Sequence, residues 1–183
     1  MRRISVVGVT GSGKSTFSDR LAGLLRVPHV ELDALQWENG WSAAAEDVFV
    51  GRVRSATDAE AWVLAGNYPR VQPLVWERAD IVVWLDPPLR VAAFRLLRRT
   101  FRRIRTRERL WGTDNVESLG RAFGRDSILR WLLKTFRKVR RRYEERFADP
   151  RWSRLDTIRL RRAREVEAFL AGAARGQAYP RSP

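Results

Sequence analysis

The sequence predicts an α/β protein of one domain, a three-layer sandwich in which helices cover both faces of a parallel sheet. Short apolar runs bounded by Gly, Pro or Asp indicate buried strands, and they alternate with segments whose apolar residues recur at helical spacing. The length of 183 residues fits one domain with an inserted subdomain. We assign the domain to residues 1–172 and expect the tail, residues 173–183, to be disordered.

Four predicted strands lie in the first half of the chain, and each ends at a glycine or an aspartate. They cover residues 4–7, 29–32, 62–65 and 81–85. After the first strand, apolar residues at helical spacing predict a helix over residues 15–25. A polar, Ala-rich stretch over residues 43–59 predicts one or two further helices between the second and third strands.

Two long amphipathic helices are predicted in the second half, over residues 89–105 and 127–147. The apolar stripe of the first consists of Val91, Phe94, Leu97, Phe101 and Ile104, and that of the second of Ile128, Leu132, Phe136, Val139, Tyr143 and Phe147. The segment between them contains several glycines and little periodicity. We expect a lid insertion there, over about residues 98–126. A fifth strand and a final helix follow, at residues 155–160 and 162–171.

A glycine-rich motif, G-x-x-x-x-G-K-S, begins directly after the first strand and runs from Gly8 to Ser15. It has the required context, because a strand precedes it and a helix follows. Glycines let the backbone N–H groups approach phosphates, the lysine supplies a positive charge, and the serine hydroxyl is a ligand for Mg²⁺. The motif predicts binding of ATP with Mg²⁺. The predicted contacts are Gly8, Gly11, Ser12, Gly13, Lys14, Ser15 and Thr16, with Ser15 on the metal.

Composition excludes several classes of chemistry. The chain has no Cys and a single His, so disulfides, thiolate or His-cluster metal sites and a Ser-His-Asp triad are excluded. No leader and no apolar run long enough to span a bilayer is present, and we expect a cytoplasmic protein. The sequence makes no prediction of the oligomeric state.

The positive charge is concentrated in the second half of the chain. The net charge is +15, with −2 in residues 1–86 and +17 in residues 87–183. Such basicity attracts nucleotides, nucleic acid or an anionic membrane surface. The 33 Arg against three Lys also fit the coding bias of a GC-rich genome, which has no functional meaning.

The sequence resembles the adenylate-kinase-like P-loop kinases, which act on nucleosides and nucleotides. Within this group it is similar to bacterial proteins labelled as topology-modulation proteins. Besides the glycine-rich motif, the matching stretches are residues 31–37, 66–68, 83–86 and 109–112. The resemblance implies a five-stranded parallel sheet of order 2-3-1-4-5, a mobile lid, and transfer of the γ-phosphoryl of Mg-ATP to a small acceptor, most simply a nucleotide or nucleoside.

On the acceptor side, Asp33 is the predicted general base or metal ligand, because it follows a strand at the edge of the sheet where ligands bind. A helix cap is the alternative role. Trp37 is predicted to contact the acceptor, although packing explains it equally well. In the run that aligns with the family, Arg70 matches the arginine that grips the acceptor's phosphate. The family's magnesium-side aspartate falls on Gly66.

Phosphoryl transfer needs cations around the transferring group, which predicts a catalytic role for Lys14 and a phosphate contact from at least one lid arginine. We choose Arg98 and Arg107 from the set Arg98, Arg99, Arg102, Arg103, Arg107 and Arg109. Asp86 follows the fourth strand, and we favour a structural role over a metal site for it. Two alternative functions remain open. One is a nucleic-acid-associated ATP-binding protein or polynucleotide kinase that uses the basic helix 127–147. The other is a kinase fold that binds ATP but has lost its acceptor site.

Overall fold

A computed structural model describes residues 2–118, 120 and 127–176 of the chain. Its strands all pair in parallel and form one sheet of order β2-β3-β1-β4-β5, as predicted. The strands are β1 Arg3–Gly8, β2 His29–Glu31, β3 Trp62–Ala65, β4 Ile81–Leu85 and β5 Asp156–Leu160.

Helices cover both faces of this sheet. They are α1 Lys14–Leu25, α2 Leu32–Gln36, α3 Glu46–Thr57, α4 Gln72–Arg78, α5 Leu89–Thr106, α6 Ile128–Phe147 and α7 Ala163–Ala174. A 3₁₀ turn, Asn39–Trp41, separates α2 from α3, and a second, Pro150–Trp152, precedes β5. None of the helices in the described ranges is both long enough and apolar enough to span a bilayer.

The predicted α/β class and strand order are confirmed, with differences at some boundaries. The second strand ends at Glu31 because α2 begins at the next residue, and the final helix continues to Ala174. The sequence did not predict α2 and α4. With five and seven residues, both are too short to show helical periodicity. Residues 121–126 of the predicted lid and residues 177–183 of the predicted tail lie outside the described residues, and the domain boundaries remain predictions.

The sheet is buried on both sides because large side chains pack against each face. On one face, aromatic residues dominate, including Trp62, Trp76 and Trp84. On the other face, Phe17 of α1 packs with Phe169 of α7 around aliphatic residues of the strands. This packing fixes the carboxyl ends of the parallel strands at one edge, where ligands of such sheets bind.

A third apolar cluster holds the helices of the second half beside the glycine-rich loop. Val9 of the loop packs with Ala92 and Leu96 of α5 and with Leu132 and Phe136 of α6. The predicted stripe of α6 is therefore its inner face. The predicted stripe of α5 is not, because Phe94 and Phe101 are 65% and 66% exposed.

Candidate phosphoryl-transfer site

The glycine-rich loop packs closely against the end of β4 and the first turn of α5, and two of its glycines are required by these contacts. Gly8 has φ of 148°, and a Cβ atom there would lie 2.3 Å from the carbonyl oxygen of Leu85. Gly11 has φ of 75°, and its Cβ would lie 2.2 Å from the carbonyl oxygen of Ala92. Only glycine avoids these clashes. Gly13, at φ 98°, then leads into α1, whose N-terminal N–H groups and dipole favour an anion.

Lys14 is partly exposed as a residue, but its ammonium is turned inward onto the backbone of this cradle. Its ammonium donates hydrogen bonds to the carbonyl oxygens of Gly8 and Val9, at 2.8 and 3.0 Å. Burial lowers the pKa of Lys14 to about 8, against the opposing effect of Asp33, and Arg99 lowers it further. The cation is thus held on neutral carbonyls that phosphate oxygens can replace. Ser15 and Thr16, the next residues of α1, are exposed to solvent.

The lowered pKa of Lys14 predicts how the stability of the ligand-free protein depends on pH. The folded protein loses this proton near pH 8, whereas the unfolded chain keeps it to about pH 10.5. The free energy of unfolding should therefore rise with pH between about 8 and 10.5, by less than about 1.4 kcal/mol per pH unit. Urea unfolding of wild type and Lys14→Met across this range isolates the effect. A constant difference between the two proteins would contradict the prediction.

Two arginines of α5 lie near the loop. Arg95 donates a hydrogen bond to the carbonyl oxygen of Ser12 at 3.0 Å. Arg99, one turn further on, is close enough to Lys14 to influence its pKa, and also feels Asp33 and Glu31. Burial, followed by the charge of Arg103, lowers the pKa of Arg99, and its Nε has no hydrogen-bond partner among the described residues. A guanidinium in this setting is available to an incoming anion.

The two lid arginines predicted to be catalytic lie elsewhere. Arg98 is exposed on the outer face of α5, beside Phe94, Leu97 and Phe101, which line an open hollow. Arg107 is exposed where α5 ends, with φ of 48°. The structure brings neither to the loop, and the corresponding positions on the inner face are Arg95 and Arg99.

The predicted base, Asp33, belongs to the first turn of α2 and is exposed. Its Oδ1 accepts a hydrogen bond of 2.6 Å from the hydroxyl of Tyr68. Burial and the neighbouring carboxylate raise the pKa of Tyr68, so the phenol remains a donor. The side chain of Asp33 is therefore oriented by a neutral group.

Tryptophans form the wall next to Asp33. The rings of Trp37 and Trp41 meet edge to face at 6.0 Å, and Trp41 meets Trp111 in the same way at 5.9 Å. The indole N–H of Trp111 donates to Glu31 at 3.3 Å. Trp37 packs against Trp41 and is still half-exposed. Both of its predicted roles, packing and contact with the acceptor, therefore remain predictions.

The remaining family positions on this side are Gly66 and Arg70. A Cβ at Gly66 would lie 2.6 Å from Cβ of Leu32, so this backbone has no room for the family's aspartate. Arg70 is exposed, donates to the buried Gln36 and stacks on Phe49 at 4.7 Å. The guanidinium is held by a neutral amide and a ring, which leaves its charge unpaired by a carboxylate in these contacts.

Residues that follow α5 return to the turn after α2 and close over the tryptophans. The side chain of Asn115, 1% exposed, accepts from the backbone N–H of Trp41 at 2.6 Å and donates to the carbonyl of Glu38 at 2.7 Å. Asp114 adds a more exposed bond, from the N–H of Gly40 at 2.9 Å. We call these contacts the clasp. It joins the first part of the predicted lid to the acceptor side.

We expect Asn115→Ala to open the clasp. The substitution removes the hydrogen bond that the N–H of Trp41 donates and the one that the carbonyl of Glu38 accepts, and each such partly buried bond contributes about 0.5–1.5 kcal/mol. Hydrogen exchange of the Trp41 amide should accelerate by about tenfold or more. Asp114→Ala is the matched control and should have a smaller effect because its bond is exposed. Equal exchange in wild type and Asn115→Ala would show that the clasp does not hold this segment.

Asp86 takes the structural role that we favoured. Its side chain is 1% exposed and accepts hydrogen bonds from Arg159 at 2.9 and 2.6 Å, and Arg140 of α6 and Arg161 lie within 3.0 and 3.5 Å. A carboxylate surrounded by three guanidinium groups is not free to bind a metal. It ties β4, β5 and α6 together.

Magnesium has few protein ligands available at this site. No three acidic or His side chains converge on one point in the ranges that the structure describes. This fits Mg²⁺ bound with ATP, since the ion retains several waters and needs only one or two protein ligands besides phosphate oxygens. Ser15, on the first turn of α1, supplies one hydroxyl.

Sequence reasoning missed several residues that the structure brings to the site. Arg95 had no assigned role, and Arg99 belonged to the basic set at the end of α5 from which Arg98 was chosen instead. Asn67, which contacts the loop, lay within a stretch that matched the family but had no assigned role. No local signal singled out Asn115, because its partners lie 74 and 77 residues away.

Comparison with known proteins supports the fold. A gluconokinase from Sinorhizobium meliloti 1021 is 21% identical, with a TM-score of 0.53 over 96% of this chain and 94% of that chain. Shikimate kinase from Acinetobacter baumannii, in complex with shikimate, is 20% identical, with a TM-score of 0.53 over 93% and 89% of the two chains. Shikimate kinase from Aquifex aeolicus vf5 is 16% identical, with a TM-score of 0.51 over 95% and 97%. No family model and no curated protein matches the sequence significantly.

These similarities show that the chain shares the fold of this gluconokinase and of these shikimate kinases. The suspected resemblance is thereby confirmed at the level of the fold. Identities of this size carry no further information about the substrate.

Proposed function

We propose that the protein is a kinase that transfers the γ-phosphoryl group of Mg-ATP to a hydroxyl group of a small acceptor. The observation that carries this proposal is the glycine-rich loop between β1 and α1, in which the ammonium of Lys14 lies on the carbonyls of Gly8 and Val9, with the charges of Arg99 and Asp33 within electrostatic range of it. Two cations for the phosphates and one carboxylate for a hydroxyl proton are the groups that this reaction needs.

The chain's own residues account for binding of the triphosphate. The glycines at 8, 11 and 13 open the backbone, and Lys14 can exchange its carbonyl partners for phosphate oxygens. Ser15 would ligate Mg²⁺, which neutralises charge on the β- and γ-phosphates when bound. Arg95 and Arg99 would lie near the transferring group.

Asp33 accepts the proton of the acceptor hydroxyl in this proposal. The acceptor oxygen forms a bond to the γ-phosphorus, the bond from that phosphorus to the β–γ bridging oxygen breaks, and ADP leaves. The hydrogen bond from Tyr68 fixes the orientation of Asp33 and leaves its second oxygen available. The alternative role predicted for Asp33, holding a water of the metal, is compatible with the same exposed position.

The acceptor itself is proposed from the groups around Asp33. Arg70 offers an exposed guanidinium to a phosphate or a carboxylate, and the half-exposed Trp37 and Trp41 offer faces or edges to a ring. A nucleotide or nucleoside has these features. The gluconokinase and shikimate kinases of similar fold bear names of acids with hydroxyl groups, and such acceptors belong in the same test.

The nucleic-acid alternative is supported by the outer face of α6. Arg130, Lys134, Arg137, Lys138 and Arg141 are all exposed there. They span three turns and could follow a phosphate backbone. This alternative stays a prediction, because charge alone does not distinguish a binding groove from a solvated helix.

The test is release of ADP from Mg-ATP with a panel of nucleosides, nucleoside monophosphates, gluconate, shikimate and short oligonucleotides. We expect stimulation by one small acceptor that saturates with its concentration. Stimulation by oligonucleotides alone, falling steeply with added salt, would favour the nucleic-acid alternative. Binding of Mg-ATP with no response to any acceptor would indicate a fold that has lost its acceptor site.

A further inference from the structure

Asn67, two residues after the end of β3, holds the first residue of the glycine-rich loop by both of its backbone groups. Its Oδ1 accepts from the N–H of Gly8 at 3.2 Å, and its Nδ2 donates to the carbonyl of Gly8. Only one orientation of the amide permits this pair, since the flipped side chain would set donor against donor and acceptor against acceptor.

A buried tyrosine of α6 fixes this amide from the other side. The hydroxyl of Tyr143 donates to Oδ1 of Asn67 at 2.8 Å. Its ring is 3% exposed and packs against Trp76, Trp84 and Phe147. The hydroxyl is therefore held in place, and α6 is connected through one side chain to the loop.

The carbonyl of Gly8 is shared by Asn67 and Lys14, and this sharing has a consequence for ligand binding. A carbonyl oxygen accepts about two hydrogen bonds. When Lys14 turns towards a phosphate, the carbonyl of Gly8 keeps Asn67, and the carbonyl of Val9 keeps the N–H of Ser12 at 3.1 Å. The carbonyl oxygens of Gly8 and Val9 therefore each keep a hydrogen-bond donor after the ammonium has left.

We propose that Asn67 is a positioning residue for phosphate binding, which fixes the start of the loop and stays on the Gly8 carbonyl when Lys14 leaves it. This inference rests on the proposed function, because it takes the ligand to be a triphosphate. Asn67 contacts neither ligand nor metal in this role and acts through Gly8 and Lys14.

The proposal separates effects on binding from effects on folding. In ligand-free Asn67→Ala, the N–H of Gly8 and the hydroxyl of Tyr143 lose their acceptor, which lowers stability with or without nucleotide, while Lys14 still covers the Gly8 carbonyl. In the complex that carbonyl has no partner, and we expect the Kd for Mg-ATP to rise about tenfold. Asn67→Asp gives no hydrogen to the carbonyl and attracts the ammonium of Lys14, so we expect a rise of about a hundredfold. Tyr143→Phe leaves the Asn67 contacts to Gly8 and should cost about threefold.

The experiment combines calorimetric titration of the full chain with Mg-ATP and hydrogen exchange of the Gly8 amide without nucleotide. Thr57→Val is the control, because Thr57 is a buried, hydrogen-bonded residue of α3 outside this network. We expect faster Gly8 exchange in Asn67→Ala, weaker Mg-ATP binding in the order given, and little loss of affinity in Thr57→Val.

The outcomes distinguish this inference from the proposed function. If wild type binds Mg-ATP and Asn67→Ala binds it within about twofold, or if Thr57→Val loses as much affinity, Asn67 has no positioning role. Unchanged Gly8 exchange in Asn67→Ala overturns the inference independently of nucleotide. If wild type does not bind Mg-ATP, the proposed function fails and with it the role in phosphate binding, while faster Gly8 exchange in Asn67→Ala would still establish the contact itself.

Discussion

Replacing Lys14 with Met is expected to reduce phosphoryl transfer by about 10³-fold. The substitution removes the cation next to the transferring phosphate but retains a long side chain that fills similar space. Loss of a single preorganised group that stabilises developing charge costs about 10²–10³ in rate, and a full charge lies at the upper end of that range. The rate should be measured under single-turnover conditions at saturating Mg-ATP, so that weaker binding does not contribute.

The chain provides a matched control for this substitution. Lys134 is exposed on the outer face of α6, and Lys134→Met makes the same chemical change away from the site. We expect its rate to lie within about twofold of wild type. If Lys14→Met retained more than about a tenth of the wild-type rate, the loop would not be the site of transfer.

Replacing Arg99 with Met is expected to lower kcat by about 10²-fold and to leave the Kd for Mg-ATP within a few-fold of wild type. The charge of Arg99 acts on both Lys14 and Asp33. In the proposed reaction charge develops near these groups as the phosphoryl group moves, so the contribution of Arg99 should be greatest in the transition state. Comparing kcat with the calorimetric Kd separates the two contributions.

Arg98→Met is the matched control, one residue away on the same helix. Because Arg98 faces the open hollow beside Phe94 and Phe101, its removal should leave kcat within about twofold of wild type. A larger loss of kcat in Arg98→Met than in Arg99→Met would restore the assignment made from sequence and contradict the placement of α5.

Arg98 and Arg99 show how far a sequence pattern can predict which side of a helix faces a site. Successive residues of a helix point about 100° apart, so a shift of one residue moves a side chain from the site to the surface. The apolar stripe of α5 suggested that Phe94 and Phe101 point inward. The inner face instead carries Ala92 and Leu96, whose small or flexible side chains allow the loop to approach.

Elements defined by local signals were predictable. The buried strands appear as apolar runs, and the phosphate cradle appears as a motif because its glycines are adjacent in the chain. The short helix α2, which carries Asp33, could not be predicted, because five residues are too few to show the spacing of apolar residues typical of a helix. The predicted base nevertheless lies at the expected edge of the sheet, because the end of β2 determines that place.

Contacts between segments that are distant in the chain could not be predicted from the sequence. Asn67 reaches Gly8 across 59 residues and Tyr143 across 76. Nothing local distinguishes an asparagine that holds backbone groups from one on a turn. Only the packing of β3 and α6 against β1 shows that these side chains meet.

The measurement that tests the central claim most directly is transfer of label from ATP labelled in its γ-phosphate, with the acceptor that best stimulates ADP release. The account predicts that the label appears in the acceptor, as a phosphate ester, in step with ADP, and that Lys14→Met abolishes both. Label found only in inorganic phosphate, at a rate independent of every acceptor, would contradict it and show that the site hydrolyses ATP rather than transferring its phosphoryl group.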